Sequence, residues 1–197
     1  MANFMPSSSV TGNFTLTTGE TAIIPAGVVV ASGTGAALLA SGGGAFIYNY
    51  GTINSLNGVA ASGTLVNYAS GVILSASFGV WTNGSTTVDN RGGYIFANGV
   101  GFYDQGASST FRNSGTIVSG LGDGSGHNAG VWIFGNSTLI NSGTIRAELA
   151  GSFGVKSFPG FASVQTITNT GTIVGKIELY DGADVLKSAS GKILGVI

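Results

Sequence analysis

Residues 111–117 read Phe111-Arg112-Asn113-Ser114-Gly115-Thr116-Ile117, and this stretch decides the fold because its pattern returns along the chain. Each copy carries an apolar residue, then Asn, Gly and Ile in a fixed order. Close copies occupy residues 47–53, 139–145 and 167–173, looser copies with a longer turn occupy 65–73 and 88–95, and a last copy occupies 185–193, with Lys187 where Asn is expected. The repeat glycines stand at positions 51, 71, 93, 115, 143, 171 and 191. A period of 20 to 22 residues with two longer turns of 28 is typical of a solenoid.

A second recurring piece lies between these segments and consists of Gly-Val followed by alternating residues, at 58–59, 79–80, 99–100, 130–131 and 154–155. Each period therefore contains three short β segments, and strand alternation turns one set of side chains inward. The first predicted inward stack is Ile53, Ile73, Ile95, Ile117, Ile145, Ile173 and Ile193. The second is Leu65, Val88, Phe111, Leu139, Ile167 and Val185. The third is Val59, Val80, Val100, Val131 and Val155.

These stacks predict an all-β protein, a right-handed parallel β-helix of about eight coils with three short strands per coil. One domain should span residues 1–197, with irregular first coils at 1–45 and regular repeats at 46–193. A leucine-rich repeat has a similar period but needs Leu-x-x-Leu-x-Leu and a helical side, and neither occurs here. Helices are disfavoured because glycine and β-branched residues fill the segments that would have to be helix interiors.

The Asn and Gly positions have local physical reasons. We expect the repeat Gly to adopt positive φ at a corner between strands, a conformation that Asn also tolerates. The Asn amides can in addition bond to one another along the stack. The predicted structural column is Asn49, Asn67, Asn90, Asn113, Asn141 and Asn169.

Composition excludes several functional classes. Charged residues make up 8% of the chain and the net charge is −1, so no basic patch is available for nucleic acid. The longest apolar run, residues 22–31, is broken by Pro25 and Gly27, which predicts no membrane insertion. The chain has no cysteine, which excludes a disulfide scaffold and thiol chemistry.

The repeated Asn-x-Gly-Thr-Ile segments of residues 46–193 resemble those of bacterial autotransporter passenger domains and related secreted β-helical adhesins. The resemblance implies a right-handed β-helix displayed outside the cell or on a bacterial surface. It is specific for the fold and carries no residue-level function.

Catalytic residues, a cofactor and a metal site are not predicted. Glycoside cleavage needs paired carboxylates, and the one local group, Glu178, Asp181 and Asp184, is expected to be a solvated turn. The single histidine, His127, could be oriented by Asp123, but no nucleophile is indicated beside it, and a flexible inserted turn is the simpler interpretation.

An outward aromatic column is the more informative feature. Alternation places Trp81 and Trp132 outward at one level and Tyr103, Phe134 and Phe158 two residues later, with Tyr180 roughly in line. A contiguous ladder of exposed rings is unusual on a soluble monomer and implies a partner, either another copy or a sugar, unless a loop or the N-terminal segment covers it.

The ends of the repeat supply the functional hypothesis. The final strand stays apolar with no visible polar cap, and we expect Ile193, Leu194, Val196 and Ile197 to form a polymerisation end. The leading prediction is a non-enzymatic structural protein that assembles head to tail into filaments or matrix outside the cell or on a bacterial surface. The alternatives are an adhesin or carbohydrate-binding module that uses the aromatic ladder and, less favoured, a polysaccharide lyase or hydrolase.

Overall fold

The computed structural model describes residues 3–41, 43–106, 108–122, 124, 126–158 and 163–195. Their regular structure consists of 26 β-strands in chain order. The first nine are β1 (Asn3–Phe4), β2 (Val10–Thr11), β3 (Phe14–Leu16), β4 (Thr21–Ile24), β5 (Val29–Ser32), β6 (Leu38–Ala40), β7 (Ala45–Asn49), β8 (Thr52–Ser55) and β9 (Val59–Ala61). The next nine are β10 (Gly63–Tyr68), β11 (Val72–Ser75), β12 (Phe78–Thr82), β13 (Thr87–Arg91), β14 (Tyr94–Ala97), β15 (Val100–Asp104), β16 (Thr110–Asn113), β17 (Thr116–Ser119) and β18 (Ala129–Ile133). The last eight are β19 (Thr138–Asn141), β20 (Thr144–Ala147), β21 (Phe153–Ser157), β22 (Thr166–Asn169), β23 (Thr172–Val174), β24 (Lys176–Glu178), β25 (Val185–Lys187) and β26 (Lys192–Leu194).

Every third strand joins the same parallel sheet, so the chain winds as a three-sided solenoid. Sheet 1 runs β1-β4-β7-β10-β13-β16-β19-β22-β25, sheet 2 runs β2-β5-β8-β11-β14-β17-β20-β23-β26, and sheet 3 runs from β3 to β24 through β6, β9, β12, β15, β18 and β21. This gives eight complete coils and two strands of a ninth. The predicted β-solenoid of about eight coils with three strands per coil is confirmed, whereas the right-handed sense stays a prediction.

The first coils follow the same plan as the rest. Within residues 3–40, the strands β1 to β6 enter the three sheets in the same order, and β4 and β5 pair in register with β7 and β8. The N-terminal segment, expected to be irregular, therefore has the strand order of the repeats although it lacks their Asn-x-Gly motif.

The isoleucine stack of sheet 2 has the predicted register. Each Ile pairs with the Ile of the next coil, and the column continues backward through Val30 to Val10. From Val30 to Ile173 its members are fully buried. Complete burial of these side chains stabilises the coil by about 25 cal/mol per Å² of apolar surface removed from water.

The sheet 1 stack differs from the prediction in the last coil. Ile167 pairs with Leu186 rather than Val185, and Val185 pairs with Thr166 on the outer side, where it is 38% exposed. The final turn explains the shift, because Ser188 lies three residues before Gly191 whereas Asn169 lies two before Gly171. Ser188, not Lys187, consequently continues the Asn column and accepts a 3.0 Å hydrogen bond from Asn169 Nδ2.

The sheet 3 stack contains Phe102, so the prediction of Val100 was wrong. Val80 pairs with Phe102, and Phe102 pairs with Val131. Phe102 lies seven residues after Ile95, as Val80 lies seven after Ile73. Its ring stacks on that of Phe111 across the interior, with centroids 4.0 Å apart.

The repeat glycines are required by close packing and not by positive φ. Fifteen glycines have positive φ, and the motif glycines are absent from that set, as is every non-glycine residue among those described. A Cβ on Gly115 would overlap the carbonyl oxygen of Gly93, and one on Gly143 would overlap that of Gly115. The explanation of the repeat Gly by positive φ was therefore wrong, because the constraint comes from the adjacent coil.

The six column asparagines form a buried amide ladder at the corner between sheets 1 and 2. Each Nδ2 donates to the Oδ1 of the next Asn over 2.7 to 2.9 Å, from Asn49 to Asn169. All six are at most 1% exposed. Mutual bonding satisfies groups whose burial would otherwise be costly.

Helices are absent from the described residues, so none of them offers an apolar helix that could cross a membrane.

Candidate functional site

Half-buried aromatic side chains cover the outer face of sheet 3. We call this surface the aromatic strip and define it by Phe78, Trp81, Tyr103, Trp132, Phe134 and Phe158. Strand register places Trp81, Tyr103 and Trp132 in one column of adjacent coils. Tyr103 was expected in the column of Phe134 and Phe158. This was wrong for the same reason as the prediction of Val100, because β15 pairs with its neighbours two residues further along the chain than the Gly99-Val100 motif predicts.

Ring contacts join the members of the strip into one cluster. The rings of Phe134 and Phe158 stack at 4.3 Å, and those of Phe78 and Tyr103 stack at 4.7 Å. Tyr103 meets Trp132 at 5.6 Å and Phe134 at 5.4 Å, both edge to face. These are the favourable separations for aromatic pairs.

A glutamine fixes two rings of the strip. Trp81 Nε1 donates to Gln105 Oε1 at 3.0 Å, and Gln105 Nε2 donates to the Tyr103 hydroxyl oxygen at 3.0 Å. Burial raises the pKa of Tyr103, although the hydrogen bond from Gln105 acts in the opposite direction. Tyr103 is therefore a neutral phenol at physiological pH.

Lysine ends the aromatic column on the C-terminal side. Lys156 pairs with Trp132 in the next coil and places its Nζ 4.9 Å from the Trp132 ring centroid and 4.4 Å from that of Phe153. Both are cation–π distances. Glu178 follows Lys156 in the same column, so the outer face of sheet 3 changes from aromatic to charged.

Tyr180 is bound by a carboxylate and is 37% exposed. Its hydroxyl donates to Glu178 Oε2 at 2.7 Å, and this hydrogen bond raises the pKa of Tyr180. Tyr180 was expected to lie roughly in line with the ring ladder. In the structure its hydroxyl is paired with the Glu178 carboxylate.

His127 is an aromatic neighbour of the strip. Its ring lies 5.4 Å from Phe78 and 5.6 Å from Trp132. Asp123, which was considered as its orienting carboxylate, lies outside the described residues. Sequence reasoning did not find Phe78 or His127 as members of this cluster. Phe78 is the first residue of β12 and His127 precedes β18, and strand alternation does not predict the side-chain direction at such positions.

The local carboxylate group has structural contacts. Glu178 holds Tyr180, and Asp184 Oδ1 accepts from the Gln165 backbone N–H at 2.7 Å, while Asp181 is exposed. Within the described part of the chain, no three His, Asp or Glu side chains converge on a point that could hold a metal ion.

Asp104 is a buried carboxylate that sequence reasoning missed. It is fully buried, and Oδ1 accepts from Thr82 Oγ1 at 2.6 Å, Ser109 Oγ at 2.9 Å and the Gly106 N–H at 2.9 Å. Oδ2 accepts from Ser137 Oγ at 2.6 Å. Four donors compensate its burial, so this node joins three successive coils.

Two of the four proposed polymerisation residues, Ile193 and Leu194, lie in the last strand, β26. Ile193 continues the isoleucine stack and is half-buried, and Leu194 is 59% exposed. Val196 and Ile197 lie outside the described residues.

Comparison with protein-family models, curated proteins and solved structures gave no match to this chain.

Proposed function

We propose that this chain is a non-enzymatic structural protein whose copies stack end to end into filaments or matrix outside the cell or on a bacterial surface. The observation that carries the proposal is made on the described residues 3–195: the outermost strand of each sheet has no neighbour at either end, and partly buried apolar side chains lie there. The resemblance of the repeats to surface-displayed β-helices supports the location.

The strand edges are compatible with continuation. Strands β24, β25 and β26 are the outermost strands at one end of the three sheets, and β3, β1 and β2 are outermost at the other. All pairs within the sheets are parallel, so a second copy placed on the end meets edges of the same direction. Free edges of this kind are templates for pairing with another chain.

The apolar interior reaches both ends. Leu179, Leu186 and Ile193 are only partly buried against the core at one end. Phe4, Val10 and Phe14 have the same status at the other end, where the rings of Phe4 and Phe14 lie 4.3 Å apart. Stacking of one copy on the next would remove these surfaces from water, the dominant favourable term in association.

Head-to-tail stacking has the symmetry of a filament. The two ends are different surfaces, so their contact is heterologous and adds copies without closing. The low charge of the chain, 8% of residues, leaves little repulsion between copies.

Electron microscopy of the purified protein tests this proposal. We expect filaments whose width matches one solenoid, and we expect Ile193→Lys to give short rods because it places a charge in the last apolar layer. The matched control is Leu56→Lys, since Leu56 is a 45% exposed leucine on the side of the solenoid. Wild-type protein that stays as short, uniform rods at high concentration and in varied salt would refute the proposal.

A second candidate function is glycan binding by the aromatic strip. It is favoured by one observation, the cluster of half-exposed rings with a polar side chain, Gln105, bonded between two of them. Such mixed surfaces suit sugars, which have both apolar faces and hydroxyl groups.

A further inference from the structure

Most rings of the aromatic strip are covered by one another. Phe134 stacks on Phe158, and Tyr103 stacks on Phe78. The ammonium group of Lys156 lies over the ring of Trp132. A stacked ring offers mainly its edge to solvent. A ligand that stacks on a ring face therefore needs a position where the column stops.

Trp81 stands at that position. The residue paired with it in the preceding coil is Ala60, and the one before that is Leu39, so the column changes there from rings to smaller side chains. This step leaves a hollow of about 210 Å³, whose walls include Leu39, Ser41, Ala60, Ser62, Trp81 and Asn83. The hydrogen bond from Trp81 Nε1 to Gln105 Oε1 holds the indole in place beside it.

A second hollow lies toward sheet 1, and its lining includes Gly63, the residue after Ser62 of the first hollow. It measures about 270 Å³ and is lined by hydroxyl side chains, including Ser85, Thr64, Thr87 and Thr110. Thr64, Thr87 and Thr110 pair with one another in successive coils and form a column parallel to the solenoid axis. Because Ser62 of the first hollow precedes Gly63 of the second, the linings of the two hollows meet along the chain.

The lining has a consistent chemical character. Every described residue that lines the two hollows is uncharged. One half offers an indole and aliphatic carbons, and the other half offers hydroxyl groups in a row. Binding sites for small ligands combine apolar walls with a few placed polar groups in this way.

We propose that the Trp81 hollow binds one pyranose ring of a neutral oligosaccharide, with the following sugars along the threonine column. The apolar C–H face of the ring lies against the indole, and the hydroxyl rim meets Asn83, Ser62 and the threonines. The uncharged lining excludes a requirement for an acidic sugar. This inference rests on the glycan-binding candidate and is independent of end-to-end assembly.

The two tryptophans of the chain provide a direct reporter. Trp132→Phe leaves Trp81 as the single tryptophan, and Trp81→Phe leaves Trp132. We expect cellohexaose, mannohexaose or xylohexaose to shift the emission of the Trp132→Phe protein and to leave that of the Trp81→Phe protein unchanged. Hexagalacturonate serves as the acidic probe.

Calorimetric titration of the same probes tests the contribution of the ring. We expect Trp81→Ala to weaken binding at least tenfold and more than Trp132→Ala does, and Leu56→Ala, at an exposed position outside the strip, to change it less than threefold. Ala60→Trp should also abolish binding, since it fills the hollow and retains Trp81. Circular dichroism of each variant establishes that it is folded.

Three results would overturn the inference. If Trp132→Ala loses binding and Trp81→Ala retains it, glycans bind elsewhere on the strip and the glycan candidate survives without this site. If only hexagalacturonate binds, the neutral class is wrong. If wild-type protein binds none of the probes, the site and the glycan candidate both fail, and filament formation is unaffected.

Discussion

At the scale of single residues, glycine is used in this protein to let backbones approach. The motif glycines have ordinary φ values, but an added Cβ at Gly115 would meet the carbonyl oxygen of Gly93 in the neighbouring coil. A second set of glycines packs against side chains. A Cβ on Gly101 would overlap Cγ2 of Ile117, and one on Gly130 would overlap Cγ2 of Ile145. The glycines are therefore part of the packing between coils and between sheets.

Gly115→Ala should destabilise the protein for this reason. Overpacking of a filled interior costs about 1–3 kcal/mol, and we expect the free energy of unfolding to fall by that amount. Gly33→Ala is the matched control, because nothing lies within 4 Å of its added Cβ. Its effect should stay within about 0.5 kcal/mol. Urea unfolding measures both, and equal values for the two variants would contradict the packing explanation.

At the scale of elements, the corner between sheets 1 and 2 is tied by the asparagine ladder. Each amide both donates and accepts, so the ladder runs through six consecutive strands of sheet 1, from β7 to β22. Each link between two asparagines requires their amides to be in register. It therefore penalises any slip of one strand against the next, which supports the regular coil.

Asn113→Ala interrupts this ladder at its middle. Asn90 Nδ2 loses its 2.8 Å acceptor and Asn141 Oδ1 loses its 2.8 Å donor, both buried. Each unsatisfied buried group costs about 1–3 kcal/mol, and Asn90 Nδ2 keeps a longer, 3.4 Å bond to the Thr116 carbonyl oxygen, so we expect a loss of about 2–4 kcal/mol of unfolding free energy. Asn54→Ala, at an exposed position of sheet 2, should change it by less than about 0.5 kcal/mol. Chemical denaturation compares the two; a loss for Asn113→Ala as small as for Asn54→Ala would mean that the ladder contributes little.

At the scale of the whole molecule, the solenoid is a stack in which each coil is stabilised by its neighbours. Interior coils have a neighbour on both sides, and the end coils have one within the chain. Leu186 and Ile193 at one end of the described residues, and Phe4 and Val10 at the other, are partly buried and mark the apolar surface that a further coil would cover.

The proposed assembly predicts a melting temperature that depends on protein concentration. Association stabilises the folded state by mass action, so the melting temperature of the wild-type protein should rise as concentration increases. Ile193→Lys should show a lower and constant value. Differential scanning calorimetry over a wide concentration range makes the measurement, and a wild-type melting temperature that does not change would speak against assembly.

The sequence by itself determined the three-strand coil, the isoleucine stack and the asparagine column. Parallel stacking places equivalent residues of each period directly over one another, so a repeat in sequence is a column in space. Only the tertiary structure decided the registers of Phe102 and Leu186, because turn lengths differ between coils and the neighbouring coil selects the alignment. It also decided the role of the glycines, the buried site of Asp104 and the hollow beside Trp81. Each of these depends on groups 21 to 33 residues away in sequence that lie in a neighbouring coil, and no local pattern encodes such a distance.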